Sequence, residues 1–168
     1  GMEVQKVAFH DDDPAEGIAR FIKKRLQDLV VISTHQRRGL YRWINQTRSL
    51  PIIKASTGMT LFVPRRVMGF VSYATGELRL NNILIPVENV TRARLAIKSA
   101  FLLTSLLQCE DVCFSLMYVG NKDDMPHLDI ELPPTYSIKR YYTERGNVTE
   151  EVLRTAEEVN ADLTVMVT

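Results

Sequence analysis

The chain has 168 residues, 45% hydrophobic and 24% charged, the balance of an ordinary globular protein that can bury a core without disulfide staples. Its 21 basic and 20 acidic residues leave a formal net charge of +1, too little for the electrostatic footprint of a nucleic-acid or anionic-membrane binder. No apolar run approaches the ~18–20 residues of a membrane-spanning helix, and no charged head leads into an apolar stretch as in a secretion signal.

In chain order, residues 4–9 alternate in the manner of a short strand. Asp11, Asp12, Asp13 and Pro14 read as a helix start, with carboxylates at the positive end of the dipole and Pro in the first turn. Ile18, Phe21, Ile22 and Leu26 then recur at helical spacing and predict one apolar face. Leu29, Val30, Val31 and Ile32 form a continuous apolar run, the mark of a strand covered on both faces. A polar stretch from Ser33 to Arg38 leads into a predicted helix over 39–48, which Pro51 breaks or restarts. Residues 59–63 are another strand, closed by Pro64.

Residues 65–82 carry Gly69, Tyr73 and Gly76 without steady periodicity and read as a connector. A strand is predicted over 83–87 and a long helix over 91–107, with Leu95, Ala96, Phe101, Leu102 and Leu106 among its apolar positions. Strands follow at 112–119 and 137–142, separated by an acidic, proline-containing loop over 121–134. A helix at 148–159 and a strand at 163–167 end the pattern. Apolar strands alternating with helices predict an α/β fold: a mainly parallel sheet with helices on both faces.

Two cysteines, Cys109 and Cys113, lack both the C-x-x-C redox spacing and the partners of a metal site, so reduced thiols in a cytoplasmic protein are expected. Asp123, Asp124, His127, Asp129 and Glu131 meet no EF-hand or zinc spacing and read as a solvated acidic loop. Arg37 and Arg38 could hold a phosphate by charge, and His35 falls at a strand's carboxyl end, where ligands bind in such folds. No serine or cysteine nucleophile motif accompanies that histidine, so no catalytic residue and no metal site is assigned.

The first 34 residues overlay the last 34 without a gap. Asp28, Leu29, Val31 and Thr34 fall on Asp162, Leu163, Val165 and Thr168, while Asp13 falls on Asn147, both fit to cap a helix. The match favours an internal duplication. The pieces come in an unusual order: residues 2–64 look like the back half of one repeat, 65–82 a connector, and 83–168 the front part of a second.

These residues resemble the universal stress protein family in its tandem form. The family's opening strand ends near Pro-Val-Asp, matched by Pro86, Val87 and Glu88. Its Ala-Asp-Leu-Ile-Val-Met-Gly-Thr segment is matched by residues 28–34 and again by 161–168. Its Thr-His-Gly-Arg-Ser-Gly-Leu is matched by Thr34, His35, Gln36, Arg37, Arg38, Gly39 and Leu40, and its closing Val-Pro by Val63 and Pro64. The resemblance covers nearly all of the chain. It implies a Rossmann-like fold of the adenine nucleotide alpha hydrolase-like class, here with its halves in permuted order, and a regulatory rather than catalytic role. It also implies dimerisation through the last strand, here the edge strand from Met59 to Val63.

Many members hold ATP in a Gly-x2-Gly-x9-Gly-Ser/Thr loop. The corresponding positions here are Ser33, Gln36 and Gln46, followed by Thr47, so only the hydroxyl survives. Bare α-carbons let backbone N–H groups approach phosphates, and a positive φ would cost Ser or Gln roughly 1 kcal/mol or more. The expectation is therefore a non-catalytic interaction module with a degenerate nucleotide loop and no cofactor. The alternative is a sensor or weak ATPase holding ATP or AMP in the crevice near Glu88, Val119 and Thr47. Neither copy being complete, the first copy's strands are expected to join the first two strands of the second copy, within one chain or in a swapped dimer.

Overall fold

A computed structural model describes residues 3–8, 13–25, 27–34, 50–64 and 69–167. The chain divides into two compact units, Gly1–Val67 and Met68–Thr168.

In the first unit, helix α1 spans Pro14–Lys23. Asp13 caps it: the Ala15 N–H donates to the Asp13 carboxylate at 2.8 Å, and Pro14 stands where no N–H is needed. Strand β1 (Leu29–Thr34), helix α2 (Leu50–Ala55) and strand β2 (Met59–Pro64) follow. Pro51 thus sits in a helix's first turn, the restart that its missing N–H permits. The two strands pair in parallel over six residues, from Leu29 with Met59 to Thr34 with Pro64. Gly58 allows this join, since a Cβ there would lie 2.5 Å from the Gln27 carbonyl oxygen and 2.6 Å from that of Asp28.

Ala15, Ala19 and Ile22 of α1 and Ile52 and Ala55 of α2 form a small core, against which Val30 and Ile32 pack. Ile18, expected on the buried face, is 39% exposed; the small residues Ala15, Gly17 and Ala19 make that face together with Ile22, which was expected there. The strand expected over 4–9 is not formed across its described part, where residues 3–8 are exposed and outside any ladder. The helix expected over 39–48 lies outside the described residues.

The second unit begins with a turn where a featureless connector was expected. Val71 and Leu78 form an antiparallel bridge, and Gly76 turns the chain with a φ of +72°. Leu80 is buried in the core. Strand β3 (Asn82–Pro86), helix α3 (Val90–Leu106), strand β4 (Cys113–Val119), strand β5 (Ser137–Thr143), helix α4 (Val148–Glu158) and strand β6 (Leu163–Thr164) complete it. The segment 121–134 is a loop with one 3-10 turn, Lys122–Asp124.

These strands form a parallel sheet in the order β5-β4-β3-β6. Successive side chains point to opposite faces. Ile83, Ile85, Phe114 and Leu116 pack with Ala93, Ala96, Ile97 and Ala100 of α3, while Leu84 and Met117 pack with Val152 of α4. Helices therefore cover both faces, and the unit is an α/β, Rossmann-like structure. Each fully buried aliphatic or aromatic side chain contributes about 1.5–3 kcal/mol.

The buried face of α3 is Ala93, Ala96, Ile97, Ala100 and Thr104, whereas Leu95, Leu102 and Leu106 are 50%, 51% and 70% exposed. Small residues let the helix approach the sheet closely and push the larger leucines outward. Strand β6 is regular over two residues, not five. Within this sheet β3 lies between β4 and β6, and β4 between β3 and β5.

Candidate functional site

In an open parallel sheet, ligands bind outside the carboxyl ends of the strands, where the strand order reverses. That point in the second unit lies between β3 and β6, because the chain steps outward from β3 through β4 to β5 and then returns to the other side of β3.

Glu88 lies two residues beyond the end of β3, at the rim. Its carboxylate is paired with the Arg92 guanidinium one helical turn on, and both side chains are exposed. Asn89 caps α3, its side-chain oxygen accepting the Arg92 N–H at 3.0 Å. The helix N-terminus, the natural anion-binding end, thus has one donor already satisfied by Asn89 and carries a carboxylate beside it. Asn89 was legible as a polar residue just before a helical run.

Val119 ends β4 and is half-buried on the α4 side of the sheet. Gly120 follows with a φ of +150°, and its N–H donates to the Thr143 carbonyl at 2.8 Å. A Cβ on Gly120 would fall 2.8 Å from the Tyr118 ring. Glu88 and Val119 therefore share one rim, at the carboxyl ends of neighbouring strands.

Ser33 lies near the carboxyl end of β1 in the first unit, exposed and paired with Val63. His35, Gln36, Arg37, Arg38, Gln46 and Thr47 lie outside the described residues.

The acidic loop holds no cation cage: among the described residues no group of three or more His, Cys, Asp or Glu side chains could hold a metal ion. Asp123, Asp124, His127, Asp129 and Glu131 are all exposed, and Leu128 anchors the loop by burial in the core. Tyr136, at the loop's far end, sits edge-on to Phe101 and Phe114 at 5.5 and 5.7 Å. Both cysteines are free thiols. Burial pushes the Cys109 thiol up from its ordinary value, which keeps it protonated and a poor nucleophile.

A groove of about 440 Å³ runs along α3, lined by Arg94, Leu95, Lys98, Phe101 and, from the loop, Asp129. Neither Glu88 nor Val119 lines it. A second groove, in the first unit, is framed by Glu16, Arg20, Lys23, Pro51 and Lys54. No helix among the described residues is long and apolar enough to cross a membrane.

No protein-family model matches the chain, and neither a curated protein nor a solved structure matches it.

Proposed function

We propose that the chain is a universal-stress-protein-like regulatory module that acts through self-association and partner binding in the cytoplasm, with a nucleotide loop that has lost its grip on phosphate. The finer fold class that goes with this reading is adenine nucleotide alpha hydrolase-like. The outer edge of β2, from Met59 to Val63, is its self-association edge.

The observation that carries the reading is the agreement of local structure under the gapless overlay. Asp13 and Asn147 both cap helices, Pro14 and Val148 both open them, and Leu29 and Leu163 both open the following strands. The strand order β5-β4-β3-β6 supplies the crevice that a nucleotide-binding ancestor would need. The side chains supply the degeneracy. Under the family resemblance, Ser33, Gln36 and Gln46 take the sequence positions of glycines whose bare α-carbons let backbone N–H groups approach a triphosphate. Glu88 occupies the Arg92 guanidinium, which takes that rim cation away from a phosphate.

Thermal unfolding of the full chain with millimolar ATP and Mg²⁺ tests this directly. The expected result is an unchanged midpoint. Ligand at 100 times its dissociation constant would add about 2.7 kcal/mol to stability, and a saturable rise of that size would establish the nucleotide-sensor alternative instead.

A further inference from the structure

We propose that β1 of a second copy competes with β6 for its place beside β3, so that two chains associate by exchanging a sheet edge. The inference builds on the self-association reading above but moves the contact from β2 to a different edge.

The backbone phase of the two strands is the first argument. The Met59 N–H donates to the Asp28 carbonyl at 3.0 Å, so residues 28, 30 and 32 face β2 while Leu29, Val31 and Ser33 turn their N–H and C=O groups to the open edge. On β6 the Val165 N–H donates to the Leu84 carbonyl at 2.9 Å, which turns residues 163 and 165 toward β3. Leu29 and Val31 are the overlay counterparts of Leu163 and Val165. The open edge of β1 is therefore the same edge by which β6 holds β3.

Asp162 is the second argument. Its carboxylate accepts the N–H groups of Asn81 and Asn82, at 2.9 and 2.8 Å, and so fixes the entry of β3. Its counterpart Asp28 is exposed and makes no side-chain hydrogen bond among the described residues. Beside β1 a receptor for a β3-type strand stands unused.

Burial agrees. Leu163 and Val165 pack against the core that contains Ile83 and Phe114, whereas Leu29 and Val31 are 38% and 59% exposed. Placing β1 beside β3 would give those two side chains the cover that their counterparts already have. The resident's ladder is short, since β6 pairs with β3 only at Ile83 with Leu163 and Leu84 with Thr164, while β1 keeps a regular strand over six residues beside β2. Similar strands competing for one edge are the condition for swapping between copies.

Sedimentation velocity over a concentration series of the full chain tests the exchange with two variants. Asp162→Ala loosens the resident strand and should tighten dimerisation at least tenfold. Asp28→Ala removes the incoming strand's receptor and should weaken dimerisation at least tenfold, with the monomer's circular dichroism and unfolding midpoint unchanged. Should Asp162→Ala fail to fold, Asp28→Ala alone decides: a dimer indifferent to it overturns the exchange. Both variants shifting association the same way, or a folded Asp162→Ala chain that stays monomeric because β1 closes on its own β3, also overturns it. A dimer that neither variant alters would leave self-association through β2 standing. A chain monomeric in all three forms would sink both.

Discussion

Thr104 is fully buried on a helix face otherwise made of alanines and Ile97, and its hydroxyl ties α3 to the segment before β5. It lies 3.1 Å from the Ala100 carbonyl, to which it donates, and it accepts the Tyr136 hydroxyl at 3.0 Å. Thr104→Val leaves the tyrosine hydroxyl with only a 3.4 Å contact to the Cys109 carbonyl. The expected cost is about 1–3 kcal/mol in urea unfolding, and Thr104→Val combined with Tyr136→Phe should cost less than the two single changes added together. Such a bond was invisible in the sequence because its partners stand 32 residues apart. The caps Asp13 and Asn147 were legible, since each satisfies N–H groups two or three residues ahead. The same locality made Asn89 readable, and Glu88 drew attention only through the family resemblance.

At the scale of elements, α3 shows where periodicity stops informing. Its sequence is apolar on nearly every side, so hydrophobic spacing does not choose a face. Packing chooses it through size: Ala93, Ala96 and Ala100 meet the strands, and the leucines turn outward. Ala96→Leu should accordingly destabilise the protein by about 1–3 kcal/mol through overpacking, whereas Leu102→Gln should fall within about 0.5 kcal/mol of the parent. Chemical denaturation of both variants checks the pair, and the reverse order would contradict an alanine face toward the sheet. Strands β1 to β5 and the α4 helix were legible to within a residue or two, because Pro, Asn and Gly punctuate their ends. The expected strand at 4–9 had alternation alone, with no apolar partner to bury, and its described residues stay exposed.

For the whole molecule, strands alternating with helices were enough to give a parallel α/β structure, but not its strand order. The neighbour of β3 is a choice between two near-copies, residues 28–34 and 162–168, and short-range patterning gives them the same score. Long-range detail separates them in the structure, where the Asp162 carboxylate holds Asn81 and Asn82 and seats β6 beside β3. The loop beyond Ser33 was readable only as chemistry, by which side chains replace glycine, and its residues 35–49 lie outside the described structure. The proposed module would respond to its own concentration and to partner strands, not to a nucleotide. The most direct measurement is the full chain's self-association constant by sedimentation, with and without millimolar ATP and Mg²⁺. The account predicts association that rises with concentration and is the same in both buffers. A chain that stays monomeric at every concentration and takes up one ATP per molecule would contradict it.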